Sequence, residues 1–491
     1  MGSGEPDDDL LSTESVVRLA RASERRVAPI RLTDSRVTKL SEGRENRRAR
    51  YVLYWMQMFK RTTHNSALDF AILAANERGL PLVIYEGLKY YYPWANDRLH
   101  TFILEGVEEK RQEFGRRGIR YVFYLQRHAR DPQYMVARLA REAALLVTDD
   151  FPCFIIPGHN RRIVGQVSIP VYAVDANGII PLRVFSQEEY AARTIRPKIK
   201  RLLPLYLKPM RRIGVRERAP HLKVDCPETI ITTENIAAHV TECDIDHSVK
   251  PSPLYRGGTR AGRSRLRHFV KRILPRYDEA RHDPSTDGTS RLSSYLHFGF
   301  LSAQEIALAV ERAHVPRVAK DAYLEELIIR RELAYNFAHF NPRYDSLDSL
   351  PAWAQKTMHE HAADARSARL APEQIENAET YDELWDASER ELVRTGEIHN
   401  YLRMLWGKRV IEWRATYEDA FRLLEHLNNK YALDGRNPNS YAGILWCFGK
   451  HDRAWGPERE VFGKLRFMSS QAMARKFDVR CYIEWTKSLP T

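Results

Sequence analysis

His399-Asn400-Tyr401-Leu402-Arg403-Met404-Leu405-Trp406 opens the stretch that decides the reading of this chain. It continues through Trp413 and Asn428 to Asp434-Gly435-Arg436-Asn437-Pro438-Asn439 and ends at Trp446. Apolar residues recur at helical spacing, so helices are predicted over 397–416 and 417–430. Trp406 and Trp413, seven residues apart, then share one helical face two turns apart. Oxidisable rings so placed, beside polar side chains able to clasp a heterocycle, point to single-electron chemistry on a bound cofactor. For each tryptophan alone, packing is the better reading. Trp385, Trp406 and Trp413 gain weight as a set only beside a redox group.

Working outward, the same periodicity predicts helices over 263–276, 302–313, 320–339 and 381–395, so the chain after about 255 is all-α. The first part differs. Short apolar runs at Tyr51–Trp55, 82–85, 119–125, 144–147 and 169–174 alternate with helical stretches at Ser66–Arg78, 99–116 and 132–143. That alternation predicts an α/β domain with a parallel, doubly wound sheet. Asn177-Gly178 reads as a turn or hairpin. Between the halves, a basic and proline-rich segment reads as a connection that is partly helical. The expected organisation is a mobile tail and lead-in over 1–48, an α/β domain over 49–190, a linker over 191–254 and a helical domain over 255–491.

Composition narrows the function classes. With 491 residues and 43% hydrophobic content, the chain can bury at least one large core. Mean hydropathy is −0.50 and no long apolar run occurs, so a spanning helix and a membrane partner are not expected. The acidic start, with Glu5, Asp7, Asp8 and Asp9, does not resemble a secretory signal. The five cysteines show no Cys-x-x-Cys pair, which disfavours a disulfide framework or structural zinc and suits a reducing compartment. No histidine pair has catalytic-metal spacing, so no metal is expected. The net charge of +13 favours a polyanionic partner such as nucleic acid, against the alternative of a merely soluble basic protein.

Four motifs could carry chemistry. Hydroxyls and backbone donors in Asp287-Gly288-Thr289-Ser290-Arg291-Leu292-Ser293 could bind phosphate at a helix start, although an ordinary N-cap is the stronger local reading. Glu326 and Arg330, four apart, read as a helical ion pair or as a glutamate able to stabilise developing charge in a cavity. The tryptophan set is the third. The fourth is a C-terminal basic run, Lys464, Arg466, Arg475 and Lys476, with Phe462, Phe467 and Phe477 interleaved, suited to phosphates and unpaired bases or to a solvated face. The absence of Gly-x-Gly-x-x-Gly after the first strand disfavours a dinucleotide held there.

Taken together, Thr289–Gly299, Phe340–Ser349, Glu397–Trp413 and Asp434–Trp446 resemble the DNA photolyase and cryptochrome family, and within it the class II cyclobutane pyrimidine dimer photolyases. The resemblance spans roughly residues 30 to 485. It implies FAD in the helical domain, an antenna pigment of the deazaflavin type in the α/β domain, and light-driven repair of pyrimidine dimers in DNA. The expected setting is the cytoplasm or nucleus, and a monomer is the default expectation. A cryptochrome-like photoreceptor without repair is the alternative. The resemblance further implies that Tyr277, Thr289, Ser290, Arg291, Leu292 and Ser293 clasp the flavin phosphates and ribose. Arg331 and Arg436 are further implied cofactor contacts. Arg403 and Asp434 bracket the ring, and Asn428 stands near its nitrogen at position five. Asn437 and Asn439 are the alternatives for that last role. Glu326, Asn400, Met404 and Trp446 line the lesion pocket, with Arg281 as a phosphate contact there; Lys464 and Arg466, from the basic run, are the further expected DNA contacts. An aromatic that many relatives present from the Glu326 helix is replaced by Ile329-Arg330-Arg331, which turns Arg330 toward the lesion. Trp406, Trp385 and Trp413, in that order, form the relay that reduces oxidised flavin.

Overall fold

The computed structural model describes residues 35–490; most of the expected N-terminal tail lies outside them. Six strands form one sheet: β1 (Val37–Ser41), β2 (Tyr51–Trp55), β3 (Leu82–Lys89), β4 (Arg120–Gln126), β5 (Ala143–Asp149) and β6 (Val171–Val174), in the order β1-β6-β5-β2-β3-β4. Strands β2 to β6 are parallel, whereas β1 pairs antiparallel with β6. Patterning does not disclose this edge strand, because Val-Thr-Lys-Leu-Ser is short, half-buried and set in a polar segment. Successive strand residues face opposite sides. Val52, Tyr54 and Ile84 pack with the Ser66–Arg78 helix on one face, and Tyr51, Leu53 and Val83 pack with the Met135–Ala140 helix on the other. The sheet is therefore covered on both faces, as parallel sheets require.

Several expected helices are interrupted for tertiary reasons. Residues 99–116 split into Asp97–Leu104 and Val107–Arg116 at Gly106, where an added Cβ would collide with the Phe300 ring. Residues 320–339 run as Arg317–Leu324, a π-helical turn at Glu325–Arg330, and Arg331–Phe340. Residues 263–276 pass through another π turn at Phe269–Ile273 and end in a 3-10 turn at Leu274–Arg276. Asn177-Gly178 is no hairpin: the Asp175 carboxylate accepts from Asn177 N and Leu182 N, folding a loop.

Segment 191–254 contains helices Ala192–Tyr206 and Ile236–Thr241 and docks on the sheet rather than bridging open space. Thr229 N donates to Phe123 O at 2.8 Å and Leu125 N donates to Thr229 Oγ1 at 3.0 Å, covering the β4 edge. The helical half closes on the sheet through Glu332, which accepts from Ile179 N at 2.7 Å. Gly299, at φ +70°, also contributes, since an added Cβ there would collide with the Met58 carbonyl. Among the described residues, no helix is long and apolar enough to cross a membrane.

Candidate functional site

The loop Thr289–Ser293 leads into the short Ser293–His297 helix, and no side chain caps that helix. The loop is instead shaped from behind. Arg265, on the Thr259–His268 helix, donates to Ser290 O and Thr289 O, both at 2.9 Å, and pairs with Asp287 at 3.0 Å. Burial would raise Asp287, but the hydrogen bond and charge of Arg265 prevail and hold its carboxyl below the usual range. Arg291 sits at φ +52°, a left-handed conformation costly for a non-glycine residue. Its guanidinium is held by Asp287 and the Tyr255 hydroxyl, each at 3.0 Å, and Tyr255 in turn donates to Glu397. Leu292 is buried. Tyr277 packs edge-on to Tyr323 at 5.2 Å. The Thr259–His268 helix has a second task on its other side, where Arg263, Leu266 and Arg267 line a 420 Å³ cavity that lies apart from this loop.

Arg403, Asn428 and Asp434 meet, although they come from two helices and a turn. Arg403 Nη2 forms a bidentate pair with Asp434 at 2.9 and 3.0 Å, and Nη1 lies 3.4 Å from Asn428 Oδ1. Burial would lower Arg403, but Asp434 more than offsets it and keeps the guanidinium charged. Beside this clamp, His399 Nδ1 accepts from Tyr401 N at 3.3 Å at the start of the Asn400–Trp413 helix. That bond places the proton on Nε2. Nε2 is buried with no hydrogen-bond partner. Burial first, then Arg291, pushes His399 down to about 4, so the ring is neutral. An orphaned donor between the phosphate-type loop and the clamp suits a polar, phosphate-bearing heterocycle lying across both.

Arg436 departs from its expected role. At φ +61° it turns its guanidinium onto the carbonyls of Asn429, Ala432 and Leu433, so its side chain ties the turn that presents Asp434. Asn437 is likewise committed, capping the Pro438–Cys447 helix by accepting from Asn439 N at 2.7 Å and Ser440 N at 3.2 Å. Arg331 lies 4.1 Å above the Tyr335 ring, with Nη1 buried and unpartnered.

Among the residues expected at the lesion, Arg281 Nη1 meets Glu326 Oε1 at 3.2 Å. Glu326 occupies a recess: 40% of its side chain is exposed, yet burial outweighs Arg330 and Arg281 and raises its pKa. Arg330 stacks 5.6 Å from the Trp446 ring, so two expected lesion contacts touch each other. Met404 packs 3.9 Å from Cys447 Sγ on the neighbouring helix, and Asn400 is exposed. Lys464 and Arg466 sit elsewhere, on the loop after Trp455. Lys464 pairs with Glu458 at 3.1 Å, and Arg466 stacks 4.9 Å from Trp455, whose ring also meets Arg453 at 4.6 Å.

The three tryptophans adjoin. Trp385 Nε1 donates to the Trp406 carbonyl at 2.9 Å, and the Trp385 and Trp413 rings stand edge-on at 5.1 Å. Trp413 Nε1 donates to the exposed Tyr381 hydroxyl at 2.8 Å, with Arg409 stacked 4.9 Å from Trp413. Trp406 Nε1 donates to Glu389 Oε2 at 2.6 Å. Sequence reasoning missed Arg265, Tyr255, Tyr381 and Glu389. Only Glu389 left a trace: it follows Trp385 by four residues, on the face of its helix that is buried.

The chain is similar to known proteins over most of its length. The chain is 38% identical over 456 residues to a deoxyribodipyrimidine photo-lyase of Methanothermobacter thermautotrophicus, covering 92% of this chain and 98% of that protein. It is 36% identical over 457 residues to the enzyme of that name from Arabidopsis thaliana, covering 89% of each. With the Potorous tridactylus enzyme it shares 32% over 492 residues, covering 95% of this chain and 88% of the relative. No family model matches. Solved structures share the fold at low identity. A Synechocystis cryptochrome aligns with a TM-score of 0.67 at 16% identity, covering 90% of each chain. A class III photolyase from Agrobacterium tumefaciens aligns at 0.65 and 17%, covering 90% of this chain and 87% of that one. A Sulfolobus tokodaii photolyase described with two FAD molecules aligns at 0.63 and 17%, covering 89% and 92%. The architecture is thus that of the photolyases and cryptochromes. The chain belongs to the DNA photolyase family, alongside the deoxyribodipyrimidine photo-lyases.

Proposed function

We propose that this protein is a class II photolyase that repairs cyclobutane pyrimidine dimers in DNA with light. The observation that carries the reading is the adjacency of two sets on one helix. Arg403 of the Asn400–Trp413 helix joins Asn428 and Asp434 in a half-buried clamp, while the Trp406 carbonyl of the same helix accepts from Trp385, whose ring stands edge-on to Trp413. When bound, reduced FAD supplies a light-activated one-electron donor. The chain's residues do the rest. Arg265 shapes the Thr289–Ser293 loop to meet phosphate oxygens with backbone donors. Arg403 and Asp434 fix the ring, and Asn428, oriented by Arg403, offers its amide to a ring nitrogen. Glu326, its pKa raised, hydrogen-bonds the pyrimidine carbonyl where negative charge develops. Arg281 holds Glu326 in place, and Arg330 with Trp446 forms the wall against which the flipped dimer lies. Lys464, Arg466 and the Arg453–Trp455 stack grip the DNA backbone away from the lesion. Trp406, Trp385 and Trp413 return the protein to its active redox state. A deazaflavin-type pigment on the α/β half would feed the same flavin, and the protein would act as a monomer wherever the cell keeps its DNA.

The test is repair itself. Dithionite-reduced protein incubated with a dimer-containing oligonucleotide restores pyrimidines under blue light and not in darkness. Dimers unchanged after illumination, with flavin bound and reduced, favour the photoreceptor alternative.

A further inference from the structure

The proposed relay moves electrons, and the structure adds a route for a proton. Resting on that relay, we propose that Glu389 takes the Nε1 proton of Trp406 when this indole gives up an electron.

The three relay tryptophans are not equivalent. Trp385 donates its N–H to a backbone carbonyl and Trp413 donates to a tyrosine hydroxyl, neither of which holds an extra proton near neutral pH. Trp406 alone donates to a carboxyl group, at 2.6 Å. Both partners are sealed from solvent: Glu389 is 0% exposed and Trp406 4%. The second oxygen, Oε1, is buried without a hydrogen-bond partner. No structural hydrogen bond therefore occupies it, and it is free to carry a proton.

Removing an electron from an indole makes its N–H strongly acidic, because losing the proton relieves the positive charge on the ring. In a dry interior that charge is costly. With Glu389 ionised, Trp406 passes one electron to light-excited oxidised flavin, its Nε1–H bond breaks, and an O–H bond forms on Glu389. An indole cation beside a carboxylate becomes a neutral indolyl radical beside a neutral acid. When an electron from Trp385 refills Trp406, the proton returns along the same hydrogen bond. Proton transfer thus competes with passage of the positive charge to Trp385, which keeps its own N–H.

Protonation of Glu389 sets when this happens. Burial pushes its carboxyl up to about 8; the Trp406 N–H opposes this, and the Glu376 and Asp386 carboxylates add to it. The acceptor is therefore filled below about pH 8 and open above it.

The experiment uses the full-length protein loaded with oxidised FAD and carrying Trp385→Phe, so that the charge rests on Trp406. Transient absorption after a blue flash separates the cationic from the neutral indole radical by their visible bands, between pH 6 and 9. With Glu389 present, the neutral form replaces the cation with a midpoint near 8. With Glu389→Gln added, the cation persists across the range. Equal deprotonation in the glutamine variant overturns the proposal while leaving the relay intact. A Trp406→Phe protein with an undiminished flash-induced radical removes the relay, and this inference with it. Flash-induced infrared spectra of the same Trp385→Phe protein, in which the charge stays on Trp406, give a second readout of the step. A carboxylic acid band arising above pH 8 and shifted by ¹³C-glutamate supports the assignment, and its absence contradicts it.

Discussion

Trp406 and its hydrogen-bond partner Glu389 carry separable expectations. If Trp406 is the entry point of the relay, Trp406→Phe stops light-driven reduction of oxidised protein but spares repair by protein reduced beforehand. Stopped-light spectra and a repair assay on one preparation measure both. Glu389 makes a prediction about stability. Its folded-state pKa, about 8, lies above the ordinary carboxyl value of 4.5. The unfolded chain therefore releases this proton first, and native stability declines as pH rises from about 4.5 to about 8, then levels. Each tenfold difference in proton affinity between the two states is worth roughly 1.4 kcal/mol, so Glu389→Gln should be the more stable protein at pH 8 by ~2–5 kcal/mol, and nearly equal at pH 4.5. Denaturant titrations at both pH values check the sign. The tryptophan spacing and the Trp385–Glu389 interval can be read from the chain. The partner of Glu389 cannot, because Trp406 is seventeen residues away and arrives only through helix packing.

The elements show where local patterns suffice and where packing intervenes. Strands β2 to β6 are legible because buried parallel strands are almost continuously apolar. β1 is not, since one half-buried antiparallel edge leaves too little pattern. Helical periodicity could not disclose the break at Gly106, whose cause is the Phe300 ring. It also could not disclose the π turn at Glu325–Arg330, where one added residue re-aims the Glu326 and Arg330 side chains at a candidate site. Arg436 misleads for a related reason: sequence places it beside Asp434, whereas its left-handed backbone turns the guanidinium inward onto the turn. The Thr259–His268 helix supplies the prediction at this scale. Arg265→Ala removes two carbonyl contacts and the Asp287 pair. Stability should fall by about 1–3 kcal/mol, and flavin retention should fall further than that loss alone would cause. Thermal melts and the flavin-to-protein absorbance ratio measure the two effects separately.

For the whole molecule, the net charge of +13 and the arginine-flanked Trp455 loop predict that DNA affinity falls steeply with salt. Lys464→Ala and Arg466→Ala should each reduce the slope of log affinity against log salt by about 1 while leaving dimer-over-undamaged preference unchanged; filter binding across a salt series reads both. On the proposed function, the helical half, closed against the sheet through Glu332 and Gly299, holds a flavin between the Thr289–Ser293 loop and the Arg403–Asn428–Asp434 clamp. The FAD content of the purified full-length chain tests this most directly. About one FAD per folded chain is expected, retained through gel filtration and released on unfolding. A folded, monodisperse protein that is colourless and takes up no FAD when the cofactor is supplied would contradict it.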